Sequence, residues 1–200
     1  MSSKGATAPV WEQKLRDEMA LSVPSLNMIS MHSPAALETA QFAAPKHNDY
    51  PPEDSVKSRL IGINVASVYH IQTATGTCID TIRGLKNTQP NRDVWGPVIN
   101  SAYWTAKESF SDRYNNAADE AVEFITALPP VQQSGAANFM SYSMGIVGKA
   151  VEQASSALSS AVDRRSLEDY LAENWNKLTE VDKDVKVGCR AAVDALNVML

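Results

Sequence analysis

The 200-residue sequence predicts an all-α fold: elongated amphipathic helices in a four-helix bundle-like body, preceded by an extended Pro-rich N-terminal arm. Two observations predict it. Small and medium apolar residues recur every eleven positions in three long stretches. Prolines crowd the first 52 residues and afterwards stand at 90, 97, 129 and 130, near the ends of those stretches. Eleven residues make three helical turns at ~3.67 residues per turn, so such a stripe stays on one side of a straight helix.

The arm comes first, over residues 1–52. Pro9 precedes a short amphipathic helix near 10–20, with Trp11, Leu15 and Met19 on one face. From Val23 to Pro52, prolines at 24, 34, 45, 51 and 52 forbid long regular structure, apart from a turn or two at Ala35–Ala43.

The helical body occupies 53–200, with helices expected at about 55–86, 93–127, 136–165 and 166–199. Glu53 and Asp54 beside Ser55 favour a helix N-terminus. In the first long helix Leu60, Ile71 and Ile82 fall in step, with Ile63, Ala74 and Leu85 on a parallel track. Its β-branched residues, Val65 to Ile79, leave a strand at 60–72 as the alternative. Pro90 marks a loop. In the second helix Ile99, Phe110 and Ala121 run beside Tyr103, Tyr114 and Ile125, and beside Ala106, Ala117 and Leu128. Leu128-Pro129-Pro130 ends it. In the third, Met140, Met144, Val147, Val151, Ala154, Leu158 and Ala161 also fit a heptad, the pattern of a bundle seam. Ser166 with Asp169 forms a capping pair for the fourth, where Leu167, Leu178, Cys189 and Leu200 accompany Tyr170, Val181 and Ala192.

Composition narrows the function classes. Hydrophobic residues make up 44 %, enough to fold, but many are alanine and only four Phe and four Trp occur, so the core is thin. A net charge of −5 opposes binding by phosphate neutralisation, so no nucleic-acid partner is expected. No run approaches the ~20 apolar residues of a membrane span, and no secretory leader pattern opens the chain. Cys78 and Cys189, each alone in a predicted helix, read as small buried hydrophobes in a reducing compartment rather than as a disulfide.

Catalytic signatures fail, and the chain reads as a non-enzyme. His32, His47 and His70 have no ligand at metal spacing, so no metal or other cofactor is expected. Gly145-Ile146-Val147-Gly148-Lys149 lacks the first glycine of a phosphate loop, Ser143 standing there. Gly145 and Gly148 instead read as places for close helix approach or bending. The serines from Ser141 to Ser160 have neither a base nor an elbow motif.

The amphipathic stripes carry what signal remains. Between Val56 and Lys86 the charges are Lys57, Arg59, Arg83 and Lys86 against Asp80 alone. A cationic helix with an apolar stripe is the type that lies in a lipid headgroup layer or on an acidic partner. The plainer alternative is that the stripes pack on each other as a bundle.

A family resemblance bears on that choice. Arg59-Leu60-Ile61-Gly62-Ile63-Asn64-Val65 with Ile79, Ile82 and Lys86-Asn87 resembles the opening of the N-terminal homology region of the perilipins, the lipid-droplet coat proteins. Perilipins generally carry proline where Asn64 stands. Ser101-Ala102-Tyr103-Trp104-Thr105-Ala106-Lys107-Glu108 is similar to an internal segment of several members, and Ala121 to Val131, Tyr142 and Gly148-Lys149-Ala150-Val151-Glu152 to its closing segment. The likeness covers about residues 59–152. It implies a coat on the phospholipid monolayer of cytoplasmic lipid droplets that shields neutral lipid from lipases. Leu60, Ile63, Ile71, Ile82, Leu85, Ile99, Tyr103, Phe110, Tyr114 and Ile125 are the residues expected to insert. Lys57, Arg59, Arg83 and Lys86 are expected to meet headgroup phosphates. The alternative is a helical accessory subunit of a large, organelle-associated assembly. Its protein partners would be met through the N-terminal arm.

Overall fold

The computed structural model describes residues 8–22, 52–162 and 175–200. The arm at 23–51, with His32 and His47, and the stretch 163–174, with Leu167, Tyr170 and the Ser166–Asp169 pair, lie outside the described residues. Among the described residues the regular structure is all α-helical: α1 at Val10–Ser22, α2 at Asp54–Thr88, α3 at Trp95–Thr126, α4 at Pro130–Val162 and α5 at Trp175–Val198. A 3-10 turn, Arg92–Val94, leads into α3.

The β-branched stretch of α2 is helix throughout, and its hydroxyls show how. Ser67, Thr73, Thr75, Thr77, Thr81 and Thr88 each donate to the backbone carbonyl four residues back, at 2.8–3.0 Å. That bond satisfies a polar group inside the helix and leaves the rest of the side chain free to pack. The strand alternative at 60–72 is thereby excluded.

Two boundaries depart from the sequence expectation for one reason. Pro97 sits in the first turn of α3, and Pro130 is the first residue of α4 rather than the end of a break reaching 136. Proline lacks an N–H that the first helical turn does not use, so it starts helices as readily as it ends them. Pro129 O accepts from Gln132 N at 2.9 Å, and α4 gains six residues over the expected start at Ala136.

The long helices pack with α2 and α4 as the central pair. Helix α2 packs on α3, α4 and α5, while α4 packs on α2, α3 and α5. Helices α3 and α5 lie on opposite sides of that pair, with no comparable interface to each other. Helix α1 lies along α4 and touches α3 with its edge.

Between them runs one core. The heptad Met140, Met144, Val147, Val151, Ala154 and Leu158 is buried along α4, as a bundle seam requires. On α5, Leu178, Val181, Val185, Cys189, Ala192 and Leu196 close the last side. Nine of the 35 buried hydrophobic residues among those described are alanine. Each alanine buries far less than the ~1.5–3 kcal/mol worth of surface that a Leu, Ile or Phe removes from water, so the core is thin.

Polar groups thin it further. Asn64, Ser67, Thr75, Ser143 and Ser155 are buried. Asn64 Oδ1 and Ser155 Oγ have no hydrogen-bond partner. Such groups cost about 1–3 kcal/mol each.

The expectation of close approach at Gly145 is corrected. A Cβ there would meet nothing within 4 Å, whereas one on Gly188 would come within 2.3–2.8 Å of the Gln153 side chain.

Candidate functional site

The apolar stripes of α2 and α3 are the candidate site, and the fold turns them inward. Leu60, Ile63, Ile71, Ile82 and Leu85 on α2, and Ile99, Phe110, Tyr114 and Ile125 on α3, are each at most 6 % exposed. They meet other helices rather than solvent. An eleven-residue period marks an apolar face without specifying what covers it, and here neighbouring helices do. None of the nine forms part of the exposed surface.

Tyr103 is the exception. It is half-buried at the α3–α4 seam, its hydroxyl 2.6 Å from Ser159 Oγ. Its ring stands edge-on to exposed Trp104 at 5.5 Å. Lys107 Nζ lies 5.4 Å from the centroid of each ring, a cation shared by two aromatic faces.

The four basic residues form no single patch. Lys57 lies 4.0 Å from Asp54 one turn back, and Arg59 is exposed beside it. Arg83 donates to Thr179 Oγ1 on α5 at 2.7 Å, and exposed Lys86 closes the last turn of α2. Twenty-four residues of helix separate Arg59 from Arg83, about 36 Å at 1.5 Å per residue. Phosphates at one end of α2 are therefore out of reach of the other.

A groove of about 580 Å³ opens between α2 and α3. Its walls carry Thr73, Thr77, Ser101 and Thr105, with Ala74, Ala102 and Ala106 between them. None of its lining residues is an acid, lysine or arginine. At one end His70 Nε2 lies 2.7 Å from Ser109 Oγ.

That Ser–His pair is 39 residues apart on two helices, and no sequence spacing points to it. It has the distance of a nucleophile and base. Both residues sit inside α-helices, where the neighbouring backbone N–H groups are committed to helical bonds. No carboxylate bonds the other ring nitrogen of His70 among the described residues. Among the described residues the pair has neither an orienting acid nor free backbone donors beside it, and it links α2 to α3 at the groove.

Both cysteines are free and buried, and burial pushes each thiol up to about 11. Among the described residues no three His, Cys, Asp or Glu side chains converge as metal ligands, and no helix is long and apolar enough to cross a membrane.

No protein-family model, curated protein or solved structure matches this chain.

The structure adds two interhelix links that the sequence does not announce. Arg113 on α3 donates to Ser67 Oγ at 3.2 Å and to Ile63 O at 3.5 Å on α2, and pairs with Glu120 at 3.0 Å. Asn64 Nδ2 donates to Ser143 Oγ across the α2–α4 interface. Asn64 stands among apolar residues at a stripe-facing position, and that mismatch is the one sequence feature that points to it.

Proposed function

We propose that this chain is a non-enzymatic lipid-surface protein, a perilipin-like coat of cytoplasmic lipid droplets, whose closed bundle is the lipid-free form. The observation that carries the reading is the quality of the core. Stripes continuous over about nine helical turns are closed by a seam diluted with alanine and interrupted by Asn64 and Ser155, each with an unpartnered polar atom. Apolar area is worth ~25 cal/mol per Å² whether helices or acyl chains cover it. A phospholipid monolayer therefore offers the stripes an equivalent cover while letting the interrupting polar groups turn to water and headgroups.

Contact by the ten stripe residues then requires the helices to part. Lys57 and Arg59 at one end of an opened α2, and Arg83 and Lys86 at the other, would flank the inserted stripe at headgroup level. The likeness to the perilipin homology region over 59–152 supports the same reading.

Flotation on a phosphatidylcholine-coated triolein emulsion tests it, with alkylation of Cys78 and Cys189 as the readout of opening. Binding with faster alkylation of both thiols is expected. A chain that does not float, or floats with both thiols still protected, ends the proposal.

A second reading, a helical subunit of a large assembly, is favoured by the outward aromatics Tyr69, Trp104 and Tyr142, which are 40–55 % exposed on three different helices. Exposed aromatics of this kind are enriched at protein interfaces. The Pro-rich arm would lie along neighbouring subunits. A fixed, much larger native size in cell extract, with no lipid association, would select this reading.

A further inference from the structure

We propose that helix α1 is a removable clasp that holds the α3–α4 seam shut, so that its release governs opening of the bundle. The inference rests on the opening required by the lipid-surface reading, but its structural half stands apart from lipid.

Helix α1 is attached across the seam, not to one helix alone. Leu15 is its buried anchor, at 1 % exposure. Trp11 donates its indole N–H to Gln133 Oε1 on α4 at 3.2 Å, and Ser141 on α4 donates to Glu18. Arg16 reaches the other way, to Asp119 on α3, at 3.0 Å. One 13-residue helix thereby ties α3 to α4.

The tie is placed where it matters. Gln133, held by Trp11, itself donates to Thr126 O at 3.2 Å and Leu128 O at 3.0 Å, the carbonyls at the turn between α3 and α4. Any hinge-like parting of α3 from α4 pivots on that turn.

The tie is also weak enough to release. A cavity of about 320 Å³ lies along the α1–α4 seam, bordered by Trp11, Lys14, Glu18, Ser134 and Asn138. Arg16 and Asp119 are 41 % and 66 % exposed, so salt screens their attraction. One fully buried leucine beside a gap, two part-buried hydrogen bonds and a screened ion pair make a contact that opens before the core does.

The test uses the full chain and three variants of it. Leu15→Asp removes the anchor. Arg16→Asp breaks the tie to α3, and Asp119→Arg added to it restores the pair in reverse. Peptide-level amide hydrogen exchange is read over 10–18 and over 114–140, and emulsion flotation is read in parallel. Leu15→Asp is expected to deprotect 10–18 and to speed exchange over 114–140 at least tenfold. Arg16→Asp is expected to do so in part, and the charge-reversed double variant to return exchange toward the parent rate.

Deprotection of 10–18 with 114–140 unchanged overturns the clasp, because α1 would then be a passive appendage. Continued protection of 10–18 in Leu15→Asp overturns it equally, since Leu15 would not be the anchor. If exchange rises as expected while neither parent nor variants float, the clasp holds and the lipid-surface reading fails. If the parent floats and both exchange and flotation are indifferent to the variants, the lipid reading survives and the clasp does not.

Discussion

Asn64 Nδ2 donates to Ser143 Oγ at 2.7 Å inside the α2–α4 interface, where both residues are fully buried. Ser143 passes the chain on, donating to Met140 O at 3.1 Å. Asn64 Oδ1 receives nothing. The link ties α2 to α4 inside the core and carries an uncompensated desolvation cost.

Replacing both partners by apolar groups removes that cost. Asn64→Leu with Ser143→Ala is expected to raise unfolding stability by about 1–3 kcal/mol, read from the midpoint of a urea titration. Ser143→Ala alone is expected to destabilise, because it strips Asn64 of its one oxygen partner. A double variant less stable than the parent would mean that the link contributes more than it costs.

The stripe residues are core residues, and truncation is expected to show it. Phe110→Ala should cost about 3–5 kcal/mol and Ile71→Val about 0.5–1.5 kcal/mol. Val131→Ser, at a 63 % exposed position of α4, should stay within about 0.5 kcal/mol. Thermal denaturation of the three variants in the absence of lipid checks the order. Equal melting temperatures for Phe110→Ala and Val131→Ser would show that the bundle is not the form present in solution.

Most of the helical architecture was legible in the sequence, because periodicity reports which face of a helix is apolar. The eleven-residue tracks predicted Leu60, Ile71 and Ile82, and Ile99, Phe110 and Ala121, as one-sided, and each lies on a buried face. The same signal is silent on the covering partner, since a lipid tail and a facing leucine satisfy it equally. Long-range polar links such as Arg113 to Ser67 and His70 to Ser109 leave no periodic trace and come only from the packed chain. Pro130 opens α4 where a break is expected, because proline both breaks and begins helices.

Alkaline pH is expected to loosen the fold. Burial raises both thiols to about 11 in the folded state, above their ordinary value of 9.0. The folded form then holds protons that the unfolded form releases, so stability is complete below about pH 9 and falls as pH rises toward 11. Cys78→Ala with Cys189→Ala should flatten that decline in a urea midpoint measured against pH. An unchanged slope would assign the alkaline loss to other groups. The same burial predicts slow alkylation of both thiols at pH 8 in the native state and fast alkylation in urea.

Gly76 and Gly145 lie inside α2 and α4 with nothing within 4 Å of where a Cβ would stand. Alanine fits both places, and each substitution is expected to add about 0.5–1 kcal/mol by favouring the helix. The gain is intrinsic to the helix, so it accrues whether the helix is packed in the bundle or laid on a monolayer. Asn64→Leu with Ser143→Ala differs, because it strengthens only the closed α2–α4 interface. The two pairs of substitutions therefore separate stability from opening. Gly76→Ala with Gly145→Ala should raise the melting temperature and leave emulsion flotation unchanged. Asn64→Leu with Ser143→Ala should raise the melting temperature and reduce flotation. If both pairs shift flotation alike, helix formation rather than bundle opening limits binding, and the closed bundle is not the gate.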